Sequence, residues 1–428
     1  MRLGSYCFQA GRQKGGRKSG GRKGAMGVTE RTVFIDMDDI MELAAKEAAG
    51  GTRSILTAYI DPSPEHRHEA QRWQSKVNSG LRALTQQYPG DKLLERTVEQ
   101  VRRELMKLPV EVRHRGLVYI RSLEPDWVWW RSVHARIGTR FAWGRRPAVL
   151  PLLSFIQRLP AVGVFVAWQD EVHSFSWRQG VLEEAEHWEL ELDTEHWRRF
   201  AAAAAPNPAR GRAYVTHEDR FESRFAKLVA SRFAELAPDV EKVADQHGWD
   251  LLLVFAADAV RDIFVNALSR RWREKVISNN GKHFAYIDVK ELADATAEAV
   301  AAWRDRWEET HVNQLMERFH GRGKAVAGGQ EVLDLLAQNR VERLYLCARM
   351  RIPGYLRKED ADAGALGELS PLRLRVPDGY EHAYEAEPEF IEEVVAGALV
   401  RGVEVIPLHG ACADPMRAVG GLGAYIRY

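Results

Sequence analysis

The chain has 428 residues, room for two to four domains that each bury a core. No apolar run approaches the roughly 18 residues of a membrane span, and the basic N-terminus has no apolar core behind it, which argues against a transmembrane or secreted protein. Three cysteines, Cys7, Cys347 and Cys412, are too few and too scattered for a disulfide framework or a Cys-x-x-Cys metal site, so a reducing cytoplasm is expected.

The formal net charge of +1 hides an asymmetry: Met1 to Ala25 carries seven Lys or Arg and no acid, leaving the remainder about six negative. The repeats Gly15-Gly16-Arg17-Lys18 and Gly20-Gly21-Arg22-Lys23 cannot bury a core, and such runs bind phosphate backbones by releasing counterions. Residues 1–30 are therefore read as a basic flexible tail. It is either an arm against RNA or a leader foreign to the protein, vector-derived or lying upstream of a true start at Met26.

Val33-Phe34-Ile35-Asp36 and Ser54 to Pro62 read as a helix-bearing lead-in to a strand that ends at proline. Glu69 to Tyr88 and Lys92 to Met106 are rich in helix formers, and Gly116 to Ile120 returns as a strand, completing an α/β domain over 31–157. Eight of the thirteen tryptophans lie between Trp127 and Trp197. Stacking on RNA bases is one reading of them, and filling cores and domain contacts at strand spacing is the other and the preferred one.

A second domain, 158–305, opens with paired strands, Val162 to Trp168 and Val172 to Ser176, around Gln169-Asp170-Glu171. Ala201 to Thr216, with its alanine run, Pro206-Asn207-Pro208 and Arg210-Gly211-Arg212, reads as an exposed loop. Thr216 to Asp219 resembles a capping box. The helix that follows puts Phe221, Phe225, Leu228, Val229 and Phe233 on one face and Arg220, Arg224 and Lys227 on another, a short basic ridge that is either a solvated face or an RNA contact. Trp249 to Phe255 reads as a buried strand, and Ala259 to Trp272 and Ala293 to Phe319 as helices, the last long enough to bridge domains.

The third domain, 306–428, alternates helix and strand. It contains Gly328-Gly329-Gln330, the tripeptide with which translation release factors order a water against the peptidyl-tRNA ester. Here Val332, Leu335 and Leu336 follow at helical spacing, so Gln330 opens a helix and the glycine pair reads as a turn needing positive φ. Phe390 to Leu399 is expected helical, Gly402 to Pro407 extended.

In their shared order these segments resemble the archaeal and eukaryotic class-1 release factor and Pelota superfamily, most closely its bacterial branch, which includes the Balon-like ribosome hibernation factors. Gly420 to Tyr428 is similar to the family's closing Gly-Gly-Ile-Gly-Ala-Leu-Leu-Arg-Tyr, and Gly328 to Leu346 to its helix and following strand. Leu56 to Ile60, Pro151-Leu152-Leu153 and Gly248-Trp249-Asp250 resemble bacterial members. The resemblance implies an α/β chain of three domains: an N-terminal α/β domain, an RNase-H-like central domain and an L7Ae-like C-terminal domain, shaped for the ribosomal A site. In the family the catalytic Gly-Gly-Gln precedes the helix that corresponds to His217 to Phe233. The loop Ala205 to Val215 has none, so release activity does not carry over. Gln74 to Ser79 is a poor match to an Asn-Ile-Lys-Ser stop-codon motif.

The resulting expectation is a monomeric, cytoplasmic factor without enzymatic activity, cofactor or metal, that fills the A site of idle or stalled 70S ribosomes. Arg210, Arg212, Arg220, Arg224 and Lys227, with Arg17, Lys18, Arg22 and Lys23 of the tail, would meet rRNA phosphates. Elongation factor Tu or a related GTPase is the partner that the resemblance implies. The rival is peptidyl-tRNA hydrolysis, by Gln330 after a rearrangement or by a substitute in the 205–215 loop. A nuclease using Asp250, Asp258 and Asp262 lacks a convincing carboxylate cluster, and His66 and His68, alternate residues on a polar loop, read as solvent-facing.

Overall fold

The computed structural model describes residues 34–48, 51–61, 69–108, 116–190, 217–321, 323–349, 351–358, 361 and 369–427, by backbone alone for 69–72 and 217–226. The N-terminal domain begins with α1 (Met37–Ala45), started by a reciprocal capping box: the Asp39 amide donates to Asp36 Oδ1 at 2.9 Å and the Asp36 amide to Asp39 Oδ2 at 3.3 Å. Then come β1 (Ile55–Ile60), α2 (Glu69–Gln87), α3 (Lys92–Met106), β2 (Gly116–Leu123), β3 (Asp126–Val133), β4 (Arg140–Gly144) and α4 (Leu150–Arg158). The strands form an antiparallel sheet in the order β3-β2-β1-β4. Every residue of β1 is buried, because both faces of the sheet are covered. Leu56, Ala58 and Ile60 meet α2 and α3 through Val77, Leu81, Val98 and Val101, while Ile55 and Tyr59 point into a second core. This double covering is why the strand reads as a continuous apolar run instead of alternating.

The central domain holds β5 (Val162–Ala167), β6 (Glu171–Arg178), β7 (Val181–Glu189), α5 (His217–His247), β8 (Leu251–Phe255), α6 (Asp258–Ala267), α7 (Arg270–Arg273) and β9 (Val276–Ile277). Its sheet runs β7-β6-β5-β8-β9, with the β5–β6–β7 meander antiparallel and β8 and β9 parallel to β5. That is the RNase-H-like order. Phe233, Val240, Phe264 and Trp272 pack on one face against Phe165 and Val254. The other face is covered by α8 (Val289–His320) through Leu292, Ala295 and Ala299.

Two expectations for this domain need correction. The helix read as Ala259 to Trp272 is broken at Leu268 and Ser269, both extended, although the buried Leu268 and Trp272 keep the i, i+4 spacing of a single helical face. Arg273 Nη2 donates to the Asn266 and Leu268 carbonyls at 2.6 and 3.0 Å, satisfying acceptors that the break frees. The helix read as ending at Phe233 continues through Pro238 to His247, because Val240, Val243 and Ala244 extend its buried face.

α8 leads without interruption into the third domain, so the expected boundary at 305/306 falls inside one helix. There β10 (Ala325–Ala327), α9 (Gly329–Ala337), β11 (Val341–Cys347), α10 (Phe390–Val400), β15 (Glu404–Leu408), α11 (Asp414–Ala418) and β16 (Leu422–Ile426) build a mixed sheet of order β10-β16-β11-β15. A three-stranded sheet of β12 (Gly354–Arg357), β13 (Leu372–Arg373) and β14 (Tyr384–Glu387) lies beside it. The N- and C-terminal domains share one apolar core, in which Ile40 and Leu43 of α1, Tyr59 of β1 and Leu153 of α4 join Val394 and Val395 of α10 and Leu344 of β11. Of the tryptophans from Trp127 to Trp197, Trp143 and Trp177 are fully buried, and Trp127 and Trp129 lie half-buried against that core; Trp197 lies outside the described residues.

Candidate functional site

The Gly-Gly-Gln tripeptide caps α9. Gly328 is the N-cap, with φ of 140°, a backbone value that favours glycine. A Cβ on Gly329 would meet Leu374 Cδ1 at 2.2 Å. The Gln330 amide is held inside the third domain by three hydrogen bonds: Nε2 donates to Asp334 Oδ1 at 2.8 Å and to the Leu372 carbonyl at 3.3 Å, and Oε1 accepts from the Leu374 amide at 2.9 Å. Gln330 thus pins β13 to α9, with both N–H donors of its amide and one lone pair of its oxygen held inside the third domain.

Of the expected basic contacts, Lys227 is exposed on α5, and Arg224 and Arg220 lie on the same helix one and two turns before it. Arg210, Arg212, Arg17, Lys18, Arg22 and Lys23 lie outside the described residues, as do His66 and His68. The three aspartates weighed for metal catalysis do not converge. Asp250 Oδ2 accepts from the Ala161 amide at 3.1 Å, and burial pushes its carboxyl up, whereas Asp258 and Asp262 are exposed and share Arg261. A cleft beside β9, lined by Arg261, Arg273, Ser278 and Asn279, has its Arg261 charge balanced by that pair.

Two charged clusters absent from the sequence reading hold the N-terminal domain to the rest. The first sets arginines of β4 and its surroundings against the glutamates around α10. Arg140 Nη1 lies 2.5 Å from Glu392 Oε1 and also pairs with Glu389, and Glu392 Oε2 accepts from the Leu150 amide at 2.9 Å. Arg53 Nε meets Glu387 Oε2 at 3.2 Å, Arg145 pairs with Glu385, and Arg146 Nε meets Glu393 Oε2 at 3.2 Å while pairing with Glu47. Burial pushes the Glu392 carboxyl up in spite of Arg140. It drives Glu393 up to about 7, with Arg146 opposing and Glu387 and Glu47 adding to the rise. For Arg140, burial is outweighed by Glu392 and Glu389, and its guanidinium stays charged.

The second cluster joins α4, α8 and the turn after β15. Ser154 Oγ is 2.6 Å from His409 Nε2, His409 Nδ1 is 3.2 Å from Glu308 Oε1, and the His409 amide donates to Glu308 Oε2 at 2.8 Å. Arg158 Nη1 and Arg304 Nε each reach Glu308 Oε1 at 3.0 Å. Burial alone would raise Glu308, but His409 and Arg304 outweigh it and hold this carboxylate below its usual range. The order Ser–His–Glu is that of a hydrolase triad, yet Ser154 sits within α4, where neighbouring N–H groups are used in the helix and not presented to an oxyanion. The cluster acts as a junction between domains. Because its members stand 255 and 101 positions apart, no local pattern announces them.

Among the described residues, one group of three side chains has metal-competent atoms close together, Glu171, His173 and His187 on the β6–β7 hairpin. Glu-x-His on a strand facing a His on the next was the available signal, and the sequence reading passed over it.

Residues 160–293 match the family model for bacterial archaeo-eukaryotic release factor family 5, which bears out the resemblance to the bacterial branch of the release factor and Pelota superfamily. No curated protein matches the chain. Among solved structures, an archaeal translation termination factor, aRF1, is 17% identical, with 92% of this chain and 99% of that one covered and a TM-score of 0.23. Archaeoglobus fulgidus Pelota is 11% identical over 92% and 93%, with a TM-score of 0.32. An archaeal Pelota described as ribosome-bound with ABCE1 is 13% identical over 92% and 94%, with a TM-score of 0.36.

Proposed function

We propose, from a chain whose central domain matches a bacterial archaeo-eukaryotic release factor family, that this protein is a translation factor that occupies the A site of idle or stalled ribosomes without hydrolysing peptidyl-tRNA. The observation that carries the reading is the state of Gln330. The single Gly-Gly-Gln of the sequence caps a helix of the third domain, with its glutamine amide consumed by Asp334, Leu372 and Leu374. Between β7 and α5, where the family carries its catalytic tripeptide, residues 190–216 contain none. A factor with this architecture and no esterase glutamine acts by occupancy. Its affinity comes from Lys and Arg on rRNA phosphates, with the α5 ridge of Arg220, Arg224 and Lys227 as the contact and elongation factor Tu or a related GTPase as the docking partner. No helix among the described residues is long and apolar enough to cross a membrane.

The test is sucrose-gradient sedimentation with vacant 70S ribosomes, comparing the intact chain with Arg220→Glu/Arg224→Glu/Lys227→Glu. Salt-sensitive co-migration that the triple variant loses is expected. Absence of co-migration, even with elongation factor Tu and GTP, overturns the ribosomal reading and leaves the fold standing. Release of peptide from loaded ribosomes that survives Gln330→Ala would place hydrolysis elsewhere in the chain.

A further inference from the structure

The β6–β7 hairpin carries a set of side chains that nothing in ribosome occupancy calls for. Glu171 and His173 are two apart on β6 and so share a face of the pleat, and His187 of β7 stands directly opposite His173 in the antiparallel register. All three therefore project from one side of the hairpin. Glu171 Oε2 lies 3.2 Å from His173 Nε2 and 3.4 Å from His187 Nε2. The two imidazoles stack with centroids 4.0 Å apart and planes inclined by 21°. The three ligand atoms all fall within 4.8 Å of one another.

The two carboxylate-to-imidazole spacings are those of a metal site. With Zn–N and Zn–O bonds of about 2.0–2.1 Å, the edge of a tetrahedron around zinc is about 3.3–3.4 Å, so both carboxylate-to-imidazole edges already have the right length. Two imidazoles and one carboxylate suit zinc and its first-row neighbours and not magnesium or calcium, which take oxygen ligands. The scaffold holds the ligands in place: ladder hydrogen bonds fix their backbones, and Trp168, whose Nε1 donates to the Phe284 carbonyl at 3.0 Å, makes a T-shaped contact with the His173 ring, centroids 5.7 Å apart. The side chains are 41%, 20% and 37% exposed for Glu171, His173 and His187, so an ion reaches them from solvent.

We propose that Glu171, His173 and His187 bind one zinc-class divalent ion, with three protein ligands and the fourth position open to water or to a donor from a partner. Such an ion would cross-link β6 to β7 at the end of the hairpin where β6 begins and β7 ends. The assignment does not depend on ribosome binding, and its test reads metal alone.

The full chain, stripped with EDTA and dialysed, is titrated with zinc chloride by calorimetry, and the cobalt-substituted protein is examined by visible absorption. The variants are His187→Ala, Glu171→Gln and, as a control for a rival histidine pair, His66→Ala/His68→Ala, each checked for native circular dichroism. One equivalent of zinc with a cobalt spectrum of tetrahedral type, affinity lowered at least tenfold in His187→Ala and in Glu171→Gln, and binding unchanged in the control support the site. Absence of zinc binding overturns it, as does binding that His187→Ala and Glu171→Gln leave intact or that the His66→Ala/His68→Ala control removes.

Discussion

Arg140→Ala is expected to be among the most damaging substitutions in this chain. Arg140 is the principal counter-charge of Glu392, whose side chain is 2% exposed and whose remaining partner is the Leu150 amide. Truncation leaves a carboxylate in an apolar core, a situation that costs about 3–5 kcal/mol when one member of a buried pair is removed. Set against a typical total stability of about 5–15 kcal/mol, that is a large fraction. Since burial already pushes Glu392 up, loss of Arg140 raises it further. The penalty then applies above the unfolded-state value, grows as pH rises toward the folded-state value, and relaxes on acidification as the carboxyl takes a proton. Urea denaturation followed by tryptophan fluorescence at pH 8 and pH 5 measures this. Arg140→Ala should lose several kcal/mol at pH 8 and clearly less at pH 5, and Arg140→Ala/Glu392→Gln should recover part of the loss. A cost below about 1 kcal/mol at pH 8, or a double variant as unstable as the two single losses combined, would refute the account of Glu392 as a charge dependent on its partner.

Glu393, driven up to about 7, is better tolerated protonated than charged, so its contribution to stability falls as pH rises from about 4.5 through 7, by about 3 kcal/mol. Glu393→Gln should remove that slope, and urea curves for variant and wild type that stay parallel from pH 5 to 8 would contradict it. Gln330→Ala should lower stability by about 1–3 kcal/mol, since the Leu374 amide and Leu372 carbonyl lose their partner, while sedimentation with ribosomes stays as in wild type. Loss of ribosome binding with stability retained would show Gln330 acting outside the third domain. Ser154→Ala should cost about 1 kcal/mol, and wild-type protein should remain unlabelled by a fluorophosphonate probe; labelling that Ser154→Ala abolishes would make the junction a reactive site.

Local pattern carried the secondary structure wherever a segment had one dominant neighbour. The β5–β6 hairpin, the two helices before β2 and the helix after Gly328 were all readable from spacing and punctuation. The break at Leu268 was not, because Val260, Phe264, Leu268 and Trp272 keep the i, i+4 spacing of one buried helical face straight across it. The fused core of the first and third domains was equally hidden: residues of α1 and α10 meet although some 350 positions separate them, and apolar periodicity names a buried face without naming its partner. Gln330 was legible as a helix opener but its bonds to Leu372 and Leu374 were not, since those require the intervening forty residues to fold back. Basic residues on α5 could be placed on a face, and the arginines of the β4 region could not be assigned to glutamates, because charge in a sequence has sign but no address.

The central domain is joined to the rest by two crossings of the chain, the short Leu159–Ala161 segment and the continuous helix α8. Two attachment points define a line, so a swing of this domain that leaves both crossings covalently intact has one easy direction, rotation about the axis through them. Twisting across that axis has to bend α8, a rod of 32 residues and about 48 Å. Arg158, at one crossing, grips Asp305 and Glu308, at the other. Those ion pairs tie the two crossings to each other, and the turn between β6 and β7 is fastened as well, where Gln179 exchanges two buried hydrogen bonds with the Ile35 backbone, so a swing about that axis has that clasp to open first.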